Sequence, residues 1–306
     1  MGERRVKDMS DFRDLREEIE SLIEKASEWV RKKSYSESCE RHEKAERLLI
    51  KLREIAENDI QEKAVLRLNA ELEYLGESID DMLSKREAGK KEDGNIAFKC
   101  NWNDKGYKDI CSQEAYKFNI EKGRAWCSSP DSKCRSFKRG PTLAEHPCYE
   151  AIALKEYYFG AGWDHSGEQN MPRPIKSVRQ GRMAILTTTP PGLKEKDRLI
   201  VGCLFISKVQ DDSGQETKIF GDKEKSIEVD YRVVKIKYWD FYKNAEAEDL
   251  IFWGSGLFRY ITDDTVLNIL KGIGEQYRNL KMDPSKIIDL IKYYENIIKN
   301  KTPKKQ

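Results

Sequence analysis

Gly181-Arg182-Met183-Ala184-Ile185-Leu186-Thr187-Thr188-Thr189-Pro190-Pro191-Gly192, followed closely by Asp197-Arg198-Leu199-Ile200-Val201-Gly202-Cys203-Leu204-Phe205-Ile206, decides the fold. Met183–Thr188 and Leu199–Val209 are dense in β-branched and aliphatic side chains and short enough for strands, and Pro190-Pro191-Gly192 between them is a turn signal. The two runs are expected to pair like a hairpin, with the charged stretch Lys194–Arg198 in the connection. A third β-rich run, Ser226–Ile236, follows the turn-forming Asp211-Asp212-Ser213-Gly214. Farther on, Thr265–Tyr277 and Pro284–Lys299 show helical spacing, with Asp263 or Asp264, and Asp283, as plausible caps. The tail Lys299–Gln306 is basic and expected to fray. Strands followed by helices define an α+β region.

Upstream the texture differs. Phe12, Leu15, Ile19, Leu22, Ile23, Ala26, Trp29 and Val30 recur at spacings of three and four, which predicts a helix over residues 10–33. Ser34-Tyr35-Ser36-Glu37-Ser38 interrupts the stripe. A longer helix is expected from about Cys39 to Lys85, striped by Leu48, Leu49, Leu52, Ile55, Ile60, Leu68, Leu72, Leu75, Ile79 and Met82. Two helices so joined fold back as an antiparallel hairpin or pair as a coiled coil with another chain. Cys39 and His42 lie within one turn and read as bystanders, because two ligands do not make a metal site. Ala88–Gly94 is a polar linker. The expected organisation is a helical hairpin over 1–88, a zinc-binding segment over 95–140 and an α+β domain over 141–300.

Composition sets bounds on all of this. The 306 residues suit two domains of about 100–200 residues each. No apolar run reaches the roughly 18 residues of a membrane helix, and the charged N-terminus lacks the pattern of a secretory signal. A cytoplasmic, reducing setting is expected, where clustered cysteines bind metal more often than they form disulfides. The net charge of +2 conceals a gradient: residues 1–90 carry 19 Lys/Arg against 23 Asp/Glu, whereas residues 91–140 carry 11 against 7. That positive balance permits phosphate contact.

Cys100, Cys111, Cys127 and Cys134 fall within 35 residues rich in turn formers such as Asn103, Asp104, Gly106, Gly123 and Pro130. Such a segment buries little apolar surface, so a tetrahedral zinc site would supply its folding free energy. Four thiolates leave no open position, so the zinc is read as structural. His146 and Cys148 lie close enough downstream to replace a ligand.

The strand pair 181–206, with its Pro190-Pro191-Gly192 loop, and Phe252-Trp253-Gly254-Ser255-Gly256-Leu257-Phe258-Arg259-Tyr260 resemble the PUA-like superfamily of EVE, ASCH and YTH domains, over roughly residues 145–270. The resemblance implies a small, partly open mixed barrel that accepts a flipped or single-stranded base between aromatic side chains. It further implies a sensor of modified cytosine or adenine, associated with restriction or nucleic-acid processing. A zinc knot ahead of an EVE-like domain is similar to the arrangement of such sensors. No fused nuclease or motor domain accompanies it here.

The residues can be read without the family. Base binding needs flat aromatic surfaces, worth about 1–3 kcal/mol per stacked base, and cations for phosphate. Tyr158, Trp163, Trp253 and Tyr260 are the candidate walls; Arg173, Lys176, Arg179 and Arg259 are the candidate cations. The expected partner is nucleic acid, modified DNA in particular, with a separate effector or a second copy on the N-terminal helices. Two rival readings stand beside this one. Asp197, or Asp211 with Asp212, before Glu216-Thr217-Lys218 fits the acidic-x-Lys arrangement of a metal-dependent nuclease. A zinc-stabilised scaffold without catalysis is the other. GxSxG, Walker A and HExxH motifs are absent. Purified protein is expected to carry about one zinc per chain by atomic emission, and prolonged chelation to unfold the cysteine segment in a limited-proteolysis assay.

Overall fold

The computed structural model describes residues 2–32, 34–87, 93–121, 127, 149–160, 162–164, 171–172, 175–212, 215–243, 251, 253 and 256–301. The chain divides into two compact units, Met1–Lys90 with Asn244–Gly256, and Lys91–Lys243 with Leu257–Gln306.

The first unit packs three helices where a hairpin of two is expected: α1 (Gly2–Arg31), α2 (Tyr35–Glu54) and α3 (Asp59–Glu87), each touching both others. The expected Cys39–Lys85 helix breaks at residues 55–58 because Asn58 and Gln61 build a cap. Asn58 Oδ1 accepts from the backbone N–H groups of Ile60 and Gln61, both at 3.1 Å, and Gln61 Oε1 accepts from Glu57 N–H at 2.7 Å. This is the reciprocal logic of a capping box. The break resets the helical phase, so Ile60 is 81% exposed while Val65, Leu68 and Leu72 join Phe12, Ile19 and Leu49 in the core. His42 is buried, with Nε2 2.9 Å from the Leu72 carbonyl, and Cys39 packs against Ala26, Leu75 and Ile79.

The second unit is a curled, six-stranded half-barrel with helices. Its strands are β1 (Asn95–Lys99), β2 (Tyr158–Gly160), β5 (Met183–Thr188), β6 (Leu199–Gln210), β7 (Lys218–Glu228) and β8 (Phe258–Ile261), in the order β2-β7-β6-β5-β1-β8. Two short strands, β3 (Trp163–Asp164) and β4 (Met171–Pro172), pair apart from that sheet. β5 and β6 form the expected antiparallel pair. The third expected strand, Ser226–Ile236, lies earlier in the chain. Asp230 turns the backbone by capping Arg232 N–H with its carboxylate and accepting from Val233 and Val234 with its carbonyl, which ends β7 at Glu228. β1, which opens the expected zinc segment, lies parallel to β5 and antiparallel to β8, and the short helix α4 (Gln113–Glu121) follows it in the chain. Register shifts interrupt both the β5–β6 and β6–β7 ladders. Bulges of this kind bend a strand and raise its twist, which curls the sheet.

One face of the sheet presents Phe98, Phe159, Leu186, Leu204, Ile206 and Ile219 to a core completed by Tyr107, Leu154 and Tyr231. Strand alternation sends the intervening residues to the other face. There α5 (Asp263–Asn279) and α6 (Ser285–Lys301) pack: Phe205 meets Tyr293 with ring centroids 5.4 Å apart, and Tyr277 Oη donates to the Glu228 carbonyl at 2.9 Å. Asp283 caps α6 as expected, accepting from Ser285 N–H at 2.9 Å. Thr262, not an aspartate, caps α5, its Oγ1 accepting from Thr265 N–H at 3.1 Å.

Asp263 is diverted from capping into a buried polar network. It accepts from Asn95 Nδ2 at 2.7 Å and from Arg182 Nη1 at 3.2 Å, while Tyr294 Oη lies 2.7 Å from it and 2.6 Å from Asn95 Oδ1. Asn95 Oδ1 also accepts from Met183 N–H at 2.9 Å. Burial, and then the neighbouring Asp263 carboxylate, hold the Tyr294 phenol well above the ordinary tyrosine range. The network joins β1, the start of β5, α5 and α6 among buried side chains. Removing one member of a buried ion pair strands the other, at a cost of about 3–5 kcal/mol. Asp263→Ala is therefore expected to lose about that much stability in urea unfolding, against about 1 kcal/mol for Tyr294→Phe, which removes only one hydrogen bond.

Candidate nucleic-acid interface

The edge of the sheet brings aromatic and cationic side chains together. Phe159 and Ile219 point into the core, so their neighbours Tyr158, Lys218 and Phe220 point outward. Tyr158 pairs with Phe220, Lys208 of β6 with Phe220, and Gly160 with Lys218. The Tyr158 and Phe220 rings lie 5.3 Å apart at 43°, both half-buried. Lys208 Nζ stands 5.4 Å from the centre of the Phe220 ring and Lys218 Nζ 6.0 Å from that of Tyr158. Cations at these distances are drawn to the π faces. The result is a tilted aromatic pair flanked by two lysines.

Glu216 closes one end of this platform. It is 5% exposed, and its Oε1 accepts from Tyr158 Oη at 3.3 Å and lies 3.9 Å from Lys218 Nζ. Its Oε2 is buried and makes no hydrogen bond among the described residues. Gly160 makes room for it, because a β-carbon there would stand 3.3 Å from Oε2. Burial pushes the Glu216 carboxyl above its ordinary value, while Lys218 and the Gly162 backbone N–H pull it back down. Burial likewise pushes the Tyr158 phenol up to about 12. The connection beneath is pinned by Thr217, whose Oγ1 accepts from Ile175 N–H at 3.1 Å and donates to Asp211 at 2.8 Å.

Of the residues expected from sequence, Tyr158 stands in this platform. Lys176 and Arg179 are exposed, and Tyr260 is half-buried, its Oη accepting from Ser177 N–H at 3.2 Å. Arg259 is 8% exposed, with its guanidinium 5.9 Å from the Tyr242 ring centre, a position suited to a core residue. Trp253 belongs to the helical unit, where it is buried and donates from Nε1 to the Gly256 carbonyl at 3.0 Å. Trp163 lies in β3 opposite Pro172, its side chain outside the described residues, as is all of Arg173. Sequence reasoning misses Phe220 and Lys208, and it reads Lys218 only as the lysine of the nuclease arrangement. Alternation from the buried Ile219 is the signal that could have found the outward pair Lys218 and Phe220.

Among the described residues, Cys100, Cys111 and Cys127 do not gather as a set. Cys100 packs in the main core of the sheet, Cys111 packs with Ala115 and Tyr116, and Cys127 is buried. Among the described residues no three His, Cys, Asp or Glu side chains gather as a metal site. Cys134, His146 and Cys148 lie outside the described residues. The carboxylates of the nuclease reading are each engaged, Asp211 with the middle residue of the Glu216-Thr217-Lys218 triplet itself. Asp197 accepts from Lys237 at 2.7 Å, Asp211 holds Thr217, and Asp212 accepts from Gln210.

No family model matches the chain, and no curated protein or solved structure matches it. Among the described residues no helix is long and apolar enough to cross a membrane.

The raised Glu216 carboxyl carries a sign. A folded-state value above the unfolded one favours the native state below the unfolded value, near 4.5, and that contribution is lost as pH rises through the folded value. Glu216→Gln keeps the shape and removes the buried charge. It is expected to raise the melting temperature at pH 7, with the difference shrinking as pH falls toward 4.5. Thermal scans of both proteins across that interval are the check.

Proposed function

We propose that this chain is a nucleic-acid-binding protein that receives a single-stranded or extruded base on the Tyr158–Phe220 platform, and that it acts as a sensor of modified bases in DNA. The observation that carries the reading is the platform itself: two outward aromatic rings in cross-strand register, each with a lysine over it, on the edge of a curled sheet. Stacking supplies sequence-tolerant affinity and the lysines are placed to meet phosphate. The curled mixed sheet is consistent with the PUA-like architecture suggested by the strand pair 183–206. Exposed Lys176 and Arg179 would extend the cationic surface. Cys100, Cys111, Cys127 and Cys134 would hold a structural zinc, whose bound form ties the loops after β1 together. On the helical unit, Leu66 and Tyr74 of α3 are 67% and 74% exposed, which suits contact with a separate effector or a second copy.

The test is a binding panel of modified and unmodified single and double strands at two salt concentrations. Affinity is expected to fall as salt rises. Tyr158→Ala and Phe220→Ala should each weaken binding by about 1–3 kcal/mol, or about 5–150-fold. Equal binding of every modified and unmodified strand would end the sensor reading. Loss of salt dependence, or unchanged affinity in both variants, would end the platform reading.

A further inference from the structure

We propose that Glu216 selects among bases on the Tyr158–Phe220 platform by accepting a hydrogen bond from an exocyclic amino group of single-stranded DNA, so that amino-bearing bases are favoured over thymine. The inference rests on the platform being a base-stacking surface, and adds to it the group that reads the base edge.

The placement argues for it. Gly160 and Tyr158 are two residues apart on β2, so their outward directions coincide, and the Glu216 carboxyl occupies the space that a side chain at 160 would fill. That sets the carboxyl beside the Tyr158 ring rather than in the core behind it. Its two oxygens differ. Oε1 is engaged by Tyr158 Oη at 3.3 Å and has Lys218 Nζ at 3.9 Å, contacts that keep the carboxyl near the ring. Oε2 is shielded from water and makes no hydrogen bond among the described residues. Buried polar atoms are mostly satisfied, so an unpaired oxygen marks a place where a ligand donor would fit. Oε2 is sealed in the unbound protein, so the edge of a base on the rings meets it by displacing the side chains that cover it.

The chemistry then selects. An ionised carboxylate only accepts. Adenine, cytosine and guanine each offer an amino group to an acceptor, as glutamate does with the cytosine N4 amino group. Thymine flanks its single N–H with two carbonyl oxygens, whose lone pairs face the carboxylate. Gly160 leaves the carboxyl this place, because a β-carbon there would stand 3.3 Å from Oε2 and push it aside slightly.

The experiment measures fluorescence anisotropy of the full chain with oligo-dA, oligo-dC and oligo-dT at one salt concentration, for wild type, Glu216→Ala and Glu216→Gln. Wild type is expected to favour dA and dC over dT by about fivefold or more, the range of a single discriminating contact. Intrinsic stacking differs among bases, so the deciding quantity is the change in that ratio on substitution. Glu216→Ala should bring it within about twofold of the ratio set by stacking alone, and Glu216→Gln, whose amide can donate to a thymine carbonyl, should improve dT relative to the others. Circular dichroism verifies that the variants are folded, and the near-isosteric glutamine keeps the test valid if alanine unfolds the edge. A wild-type ratio that neither variant alters, or a uniform loss across all three strands, would overturn the proposal. If Tyr158→Ala still weakened every strand, the platform would stand without Glu216 as its selector. If no strand bound at all, the stacking reading itself would fail.

Discussion

Arg182 is held at 1% exposure against an Asp263 carboxylate that also takes hydrogen bonds from Asn95 and Tyr294. A buried guanidinium is tolerated when its charge is matched, because desolvation alone costs several kcal/mol; here Nη1 meets the carboxylate, while Nη2 makes no hydrogen bond among the described residues. Matching it here needs side chains from four places in the chain: the start of β1, the residue before β5, the first turn of α5 and the middle of α6. Each must arrive in register for the network to close. The helices on the outer face are thereby tied to one end of the sheet by a contact with definite geometry, which hydrophobic packing alone would not specify. The opposite edge, β2 with β7, lies at the other side of the strand order and carries the aromatic platform.

A second buried charge shows the same rule with different partners. Arg198 is fully buried, and its guanidinium meets the Glu195 carboxylate through Nε at 2.6 Å and Nη2 at 2.7 Å, while Trp239 Nε1 donates to the same carboxylate at 3.1 Å. Burial would raise the Glu195 carboxyl, but Arg198 outweighs it and holds the group below its ordinary value. Glu216 lies at the other end of this range. It too is buried, but its cation is a lysine 3.9 Å away, and the balance tips upward. The contrast separates a carboxylate held by two arginine hydrogen bonds from one whose lysine stands farther off.

Much of the fold was legible because it is local. β5 and β6, the turn between them and both C-terminal helices follow from side-chain period and from Pro190, Pro191, Gly192 and Asp283, all of which act within a few residues. The split of α2 from α3 was legible in principle, since Asn58 and Gln61 are a cap written in sequence. It was missed because the apolar stripe runs through the break. Asp263 was misread for the opposite reason: its local signal is that of a cap, while its role is set by Arg182 and Tyr294, far away in the chain. In the candidate site, Tyr158 was readable as an aromatic beside glycines. Its partners Phe220 and Lys208 were not, because nothing near them in sequence announces a neighbour some fifty or sixty positions earlier.

The sequence by itself determined the α+β class, the charged helical stretch ahead of it and the cysteine cluster that invites a zinc reading. These depend on periodicity, composition and turn chemistry, which a residue carries wherever the chain goes. Only the tertiary structure decided that β1 inserts beside β5, that Tyr158 and Phe220 share an outward face with lysines over their rings, and that Glu216 is stripped of water beside them. Strand pairing and desolvation are properties of a place in the folded molecule. They depend on which distant residues arrive there, and no short stretch of sequence contains that information.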